Sequence, residues 1–111
     1  MEIKYKTSKL AKSVESPRDI QKNYGTRAKL VNQRKSELEA AETLDTMRFI
    51  PAANCHELSG NHTGELAVDI SQNHRIIFEP NHNPIPIKPD SGLDWTRVTK
   101  IIINAIGVDY H

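Results

Sequence analysis

The sequence predicts an α+β domain in which two N-terminal helices pack on one face of a small, mostly antiparallel β-sheet. Three observations support this prediction. Residues 1–44 read as a short strand followed by two helices, residues 64–79 alternate apolar and polar side chains, and residues 97–106 are apolar at most positions. A change from a helical period to a period of two is typical of chains whose helices lie together against one sheet.

The first element is the alternating stretch "EIKYK", which predicts a short strand. A helix is expected over "SPRDIQKNYG", with Ser16 as N-cap, Pro17 at the first helical position and Gly25 just past the end. This arrangement places each residue type where helix ends prefer it.

The second predicted helix covers residues 26–44, with Thr26 as its N-cap. Its apolar residues recur near helical spacing and should face the sheet: Leu30, Leu38, Ala41 and Leu44. The helix should end before "FIPAANC", because Pro51 cannot continue the hydrogen-bond pattern.

The segments "GELAVDI" and "HRIIFE" predict two strands joined by a hairpin. A three-residue loop, Ser71-Gln72-Asn73, pairs Leu66 with Phe78 and keeps the apolar residues on one face. A two-residue loop would instead place Glu79 on that face. The three-residue register puts Arg75 opposite Asp69, on the face turned away from the core.

A loop rich in proline, "NHNPIPIKPDSGLDW", follows the hairpin. The apolar stretch "RVTKIIINAI" then predicts a central strand buried on both faces, and Gly107 should kink or bulge its end. With 111 residues the chain is expected to form a single domain over 1–111.

Composition restricts the functional classes. No apolar run approaches the ~20 residues of a membrane span, and a single cysteine cannot form an internal disulfide, so we expect a cytoplasmic protein. Residues 1–36 carry ten Lys or Arg and three acids (net +7), whereas residues 37–111 carry five and eleven (net −6). The basic part could attract phosphates or be a solvated helix surface. Phosphate-binding glycine loops and nucleophile elbows are absent from the sequence.

Several side chains could carry chemistry. Arg75 could bind a phosphate through its forked donors or pair with Asp69 across the hairpin. His56 could act as a general acid or base, or merely cap a loop. A Cys55–His56 dyad is disfavoured because adjacent residues in extended chain point to opposite sides. No pair of His or Cys shows structural-zinc spacing, so no metal or other cofactor is expected.

The last three residues of the sequence are Asp109, Tyr110 and His111. Chain ends commonly fray. The preceding strand, however, is predicted to lie inside the sheet, and it would hold these side chains in place. The residues alone leave both interpretations open.

Taken together, "HELSGNHTGELAVDISQNHRIIFE" and the final "DYH" resemble the HigB-type killer toxins of bacterial type II toxin–antitoxin pairs, in the RelE/ParE superfamily. The resemblance covers residues 56–79 and 109–111. It implies a RelE/ParE-like fold, cleavage of messenger RNA on the ribosome without a metal or other cofactor, and a HigA-like helix-turn-helix antitoxin as partner.

The resemblance also implies roles for individual residues. His56 would be a general acid–base group, and Arg75 would stabilise the phosphate in the transition state. Tyr110 would stack on or orient a base, while Asp109 and His111 would complete the proton transfers. The expectation is that all five residues lie near one another on one open face of the sheet.

One position departs from the pattern. Ser59 stands where such toxins often carry a lysine, so that positive charge is missing or comes from elsewhere, for example from Lys100. Two other functions stay open on the sequence: a ParE-like toxin that blocks gyrase without cleaving RNA, and a decayed module that retains only antitoxin binding.

Overall fold

The computed structural model describes residues 1–109, with only the backbone described at 108 and 109. The strands are β1 (Glu2–Tyr5), β2 (His56–Glu57), β3 (Leu66–Asp69), β4 (His74–Pro80) and β5 (Lys100–Asp109). The α-helices are α1 (Ser8–Ser13), α2 (Pro17–Tyr24) and α3 (Ala28–Ala40). Short 3-10 turns occupy parts of the connection from α3 to β2.

The described strands form one five-stranded sheet in the order β1-β5-β4-β3-β2. β1 pairs in parallel with β5, and every other neighbouring pair is antiparallel. The parallel pairing requires the chain to cross over between β1 and the other strands, and the helices lie within that connection. The predicted α+β class, with helices on one face of a mostly antiparallel sheet, is therefore confirmed.

Helix α2 has the ends predicted for it. The Ser16 hydroxyl accepts a hydrogen bond from the backbone N–H of Asp19 at 3.2 Å, and Pro17 is the first helical residue. Gly25 ends the helix at φ +53°, a backbone angle that residues with a Cβ seldom adopt.

The prediction was wrong about the neighbouring helices. Helix α1, which starts after the N-cap Thr7, was missed because six residues are too few to show a helical period. Thr26 is not an N-cap: it lies inside a 3-10 turn, Gly25–Arg27, that runs directly into α3. Helix α3 also ends at Ala40 rather than reaching residue 44, because the backbone becomes extended at Ala41.

The main core lies between the helices and one face of the sheet. It joins side chains from the helices to side chains from the strands, among them Val31, Leu38, Leu66, Val68, Phe78, Ile101 and Ile103. A much smaller apolar cluster on the opposite face contains Leu58, Ala67 and Ile77, with Ala105 packed against it. Among the described residues no helix side chain belongs to this second cluster, so the second face is open.

The hairpin of β3 and β4 has the predicted register. Leu66 pairs with Phe78, Val68 with Ile76, and the backbone N–H of Ile70 donates to the carbonyl of His74 at 2.9 Å. Asp69 therefore lies opposite Arg75. The alternation of apolar residues had selected this register because any other would turn charged side chains into the core.

Strand β5 lies inside the sheet, between β1 and β4, as predicted. It is, however, buried on one face only. Ile101 and Ile103 are buried in the main core, whereas Ile102 and Ala105 are half-exposed on the open face. The pairing with β4 shifts twice, and one shift falls where Ile76 pairs with Ile106 and Arg75 with Val108. The extra residue there is Gly107, at φ +78°, which is the predicted bulge.

Candidate active site

The open face brings together side chains from three neighbouring strands and the loop before them. His56 lies on β2 opposite Ala67, and Arg75 lies on β4 opposite Asp69. Extending the β2–β3 register by two residues places Asn54 opposite Asp69. The sequence allowed His56 to be the cap of a loop; in the structure it lies within the sheet, in an edge strand too short to show alternation.

Arg75 and His56 contact each other directly. Nη1 of Arg75 lies 3.0 Å from Nε2 of His56, and Nδ1 of His56 lies 2.6 Å from the carbonyl oxygen of Asn54. A carbonyl can only accept and a guanidinium can only donate, so Nδ1 carries the proton and Nε2 presents a lone pair. The imidazole is thereby held as a neutral base that faces a permanent cation.

Asp69 is the acidic partner within this group. Its Oδ1 lies 3.4 Å from Nε of Arg75, and its Oδ2 accepts a hydrogen bond from the side-chain amide of Asn54 at 3.1 Å. The side chains of Arg75 and Asp69 are 16% and 29% exposed, so the pair is screened less than a surface salt bridge and still reachable by a ligand. The interpretation of Arg75 as a partner of Asp69 is therefore confirmed, and its role in binding a phosphate stays a prediction.

Asn54 is the residue of this group that the sequence analysis missed. Its backbone is left-handed, with φ +46°, directly after the 3-10 turn Pro51–Ala53. Asn tolerates this conformation better than most residues, which is the signal that the sequence offered. The turn aims the Asn54 carbonyl at His56 and its amide at Asp69, so one residue connects the base to the carboxylate.

Cys55 is turned away from this site, as predicted. It packs against the main core, whereas His56 contacts Arg75 on the open face. Burial raises the pKa of the Cys55 thiol to about 12, and the nearby Arg48 only partly offsets this rise. The thiol therefore stays protonated at neutral pH and is a poor nucleophile.

The roles predicted for the side chains at the end of the chain stay predictions. The backbone of Asp109 pairs with His74, next to the pairing of Val108 with Arg75. Strand β5 thus runs past Arg75 before the described residues end. The predictions for Tyr110 and His111, and for the side chain of Asp109, lie outside what the structure describes.

Lys100 cannot supply the charge that Ser59 lacks. It starts β5, where it pairs with Glu2, while Val108 pairs with Arg75 eight residues farther along the same strand. At ~3.3 Å per residue this separation is roughly 25 Å, too far for a shared contact with one phosphate. That suggestion from the sequence was wrong, because strand β5 is long and Lys100 and Val108 lie near its opposite ends.

A cleft of about 510 Å³ occupies the other end of the open face, beside the proline-rich loop. Its lining includes three carboxylates, from Glu57, Glu65 and Glu79, and the apolar side chains of Ile85 and Ile87. Although burial opposes it, hydrogen bonds from Asn104 and His62 lower the pKa of Glu65 below its ordinary range. Anionic side chains of this kind repel phosphate, so a ligand that carries phosphate is better accommodated at the Arg75 end.

Among the side chains that the structure describes, no three from His, Cys, Asp or Glu are grouped closely enough to hold a metal ion. The helices that the structure describes are all too short or too polar to cross a membrane. The described side chains that meet at Arg75 offer a guanidinium, an imidazole and a carboxylate.

No protein-family model matches the chain, and no curated protein matches it in sequence. Solved structures do match its fold. The YoeB/ParE toxin from Agrobacterium tumefaciens superposes with a TM-score of 0.52 at 12% identity, over 99% of this chain and 100% of that one. The chain has the fold of a YoeB/ParE toxin.

Two structures from Staphylococcus aureus support the same assignment of fold. A chain of the YoeB–YefM complex gives a TM-score of 0.53 at 15% identity, and the YoeB dimer gives 0.50 at 16% identity. Each match covers 99% of this chain and 98% of the other. The YoeB/ParE toxin fold thus extends over the helices as well as the sheet that carries Arg75 and His56.

Proposed function

We propose that this chain is the toxin of a bacterial type II toxin–antitoxin pair, of the HigB type, and that it cleaves messenger RNA on the ribosome. The observation that carries the proposal is the 3.0 Å contact between Arg75 and the imidazole of His56 on the face that the helices leave open. The toxin fold and the sequence resemblance around these two residues support it.

In the proposed reaction the ribose 2′-hydroxyl attacks the adjacent phosphorus. As the Nη1 donor of Arg75 turns from His56 to the phosphate, the lone pair of Nε2 is released and takes the hydroxyl proton, because Nδ1 already carries one. The new O2′–P bond forms as the P–O5′ bond breaks, which leaves a 2′,3′-cyclic phosphate and a 5′-hydroxyl. Arg75 stabilises the extra negative charge of the pentavalent phosphate through its forked donors.

The leaving O5′ atom needs a proton, and the base must be held out of its stack. We assign these tasks to the end of the chain: Asp109 and His111 for proton transfer and Tyr110 for stacking. Strand β5 supports this assignment, since the backbone of Val108 pairs with that of Arg75. Each proton and bond is accounted for by side chains, so the step needs no metal and no other cofactor.

The proposed partners follow from charge and from the fold. Residues 1–36, with a net charge of +7, would contact ribosomal RNA phosphates through Coulomb attraction and counterion release. A HigA-like helix-turn-helix antitoxin is the proposed protein partner. A structural relative, YoeB, was solved in complex with YefM, which supports a protein partner for a toxin of this fold.

Induced expression with transcript mapping tests the proposal in cells. Growth arrest with transcripts cut inside translated regions is expected for the unaltered chain. The variant Arg75→Ala should abolish both effects, and Arg97→Ala, which removes an exposed arginine paired with Asp94, should abolish neither. Growth arrest with intact transcripts would instead support a gyrase-blocking toxin, and no growth effect would support a decayed binding module.

A further inference from the structure

Arg34 is a charged side chain inside the protein. It lies on helix α3, is 4% exposed, and within the part of the chain that the structure describes no other charged residue is buried. Taking a guanidinium out of water is costly unless hydrogen bonds and an opposite charge compensate for it. The residues that compensate for Arg34 therefore indicate what it holds in place.

The Arg34 guanidinium has three partners on three different segments. Nη1 pairs with the Glu37 carboxylate on the same helix at 3.0 Å. Nε donates to the backbone carbonyl of Asp69 at 2.7 Å, at the end of β3. Nη2 donates to the backbone carbonyl of Ala52 at 3.0 Å, in the 3-10 turn before β2. One side chain thus connects α3 to the backbone at the end of β3 and to the backbone of the turn before β2.

These two segments carry the candidate site. Asp69 reaches Arg75 with its side chain, while Arg34 holds its backbone. Ala52 lies two residues before Asn54, whose carbonyl accepts from Nδ1 of His56. Arg34 is therefore connected to Arg75 through Asp69, and to His56 through the backbone from Ala52 to Asn54.

We propose that Arg34 is a positioning residue that fixes the distance between His56 and Arg75 and the tautomer of His56 from the far side of the sheet. This inference rests on the proposed function for its kinetic consequence. Its structural consequence, the tautomer of His56, stands independently of any activity.

A guanidinium is suited to this task for a geometric reason. Its donors diverge in one plane, so Nε and Nη2 reach two carbonyls on different segments while Nη1 keeps the carboxylate. A lysine ammonium is a single point of charge, and it cannot reproduce this planar fork. The variant Arg34→Lys should therefore keep the charge but lose one of the two tethers.

The test uses the full chain with the variants Arg34→Met, Arg34→Lys and, as a matched control for the ring measurement alone, Lys35→Met. Lys35 is the next residue of α3 and pairs with Glu39. Its replacement therefore removes one charge but keeps the hydrogen bonds from Arg34 to the carbonyls of Asp69 and Ala52. Thermal unfolding first defines a temperature at which each variant is folded. Nitrogen NMR of the His56 ring in mildly alkaline buffer then reports which nitrogen carries the proton, and ribosome-dependent cleavage gives kcat and KM.

The expected result is a single Nδ1–H tautomer in the unaltered chain and in Lys35→Met. We expect a mixture of tautomers in Arg34→Met, with kcat lowered roughly 10- to 100-fold at unchanged KM. The tautomer ratio and kcat of Arg34→Lys should lie between those of the unaltered chain and Arg34→Met. If Arg34→Met does not fold, Arg34→Lys is the variant that tests the proposal. If the unaltered chain cleaves nothing but the tautomer still changes, the proposed function fails and the positioning role stands. A folded Arg34 variant with the unaltered tautomer would overturn the positioning role.

Discussion

The Arg75 guanidinium donates to Nε2 of His56 at 3.0 Å, although the two residues are nineteen positions apart in the sequence and lie on strands separated by β3. Asp69 on β3 pairs with Arg75, and Asn54 connects Asp69 to His56. The contact is thus part of a hydrogen-bonded ring that contains four side chains and the carbonyl of Asn54. Each member has a distinct effect that can be measured.

The carboxylate of Asp69 should matter more for activity than for stability. In Asp69→Asn the ion pair with Arg75 is lost while the shape is kept, and a partly exposed pair stabilises a fold by only ~0.2–1 kcal/mol. We expect cleavage to fall at least tenfold, because the guanidinium of Arg75 then loses the carboxylate that orients it, with a small change in the urea midpoint. Unchanged cleavage would show that Asp69 does not orient Arg75.

The left-handed backbone of Asn54 can be separated from its side chain. Asn54→Gly keeps the φ +46° conformation available, whereas Asn54→Ala does not favour it, and both lose the hydrogen bond to Asp69. The Ala variant should therefore be less stable than the Gly variant by about 1 kcal/mol. Urea unfolding measures this difference, and equal stabilities would contradict the role of the backbone.

Much of the fold was predictable from the sequence because it depends on local rules. The hairpin register followed from alternation along Leu66, Val68 and Phe78, and the bulge followed from Gly107. Strand β2 escaped prediction because a two-residue strand has no period. It exists because β3 offers it an edge to pair with.

The site was predictable only in part, for a related reason. His56 and Arg75 stood out by residue type and by resemblance, but Arg34 acts through backbone carbonyls of distant segments. A contact of this kind has no signature in a single sequence, since any residue can offer a carbonyl. Arg34 was recognisable only once the chain was folded, and for Asn54 the sequence offered only the tolerance of Asn for a left-handed backbone.

Gly107 should be needed for the bulge near the end of β5. At φ +78° a Cβ is strained even though the Tyr24 ring leaves ordinary space at 3.7 Å. We expect Gly107→Ala to destabilise the fold by ~1–2 kcal/mol and Gly107→Asn, which tolerates positive φ, to destabilise it less. Chemical denaturation compares the two. Equal stability of all three chains would show that the bulge is not constrained.

Stability should decline in alkaline solution. Burial raises the pKa of Cys55 from 9.0 to about 12 and the pKa of Tyr5 from 10.0 to about 12. The unfolded chain loses these protons at lower pH than the folded one, so the stabilisation is complete below about pH 9 and disappears as pH rises toward 12. Cys55→Ala should flatten this decline, as followed by urea unfolding from pH 8 to 11. An unchanged slope would show that the thiol is not buried as described.

The most direct test of the central claim is single-turnover cleavage of messenger RNA on purified, programmed ribosomes. The rates to compare are those of the unaltered chain, Arg75→Ala, His56→Ala and the control Arg97→Ala. We predict that Arg75→Ala lowers the rate about 10²- to 10³-fold, that His56→Ala lowers it at least 10²-fold, and that the control matches the unaltered chain. Equal cleavage by all four chains would contradict the assignment of the reaction to the Arg75–His56 contact.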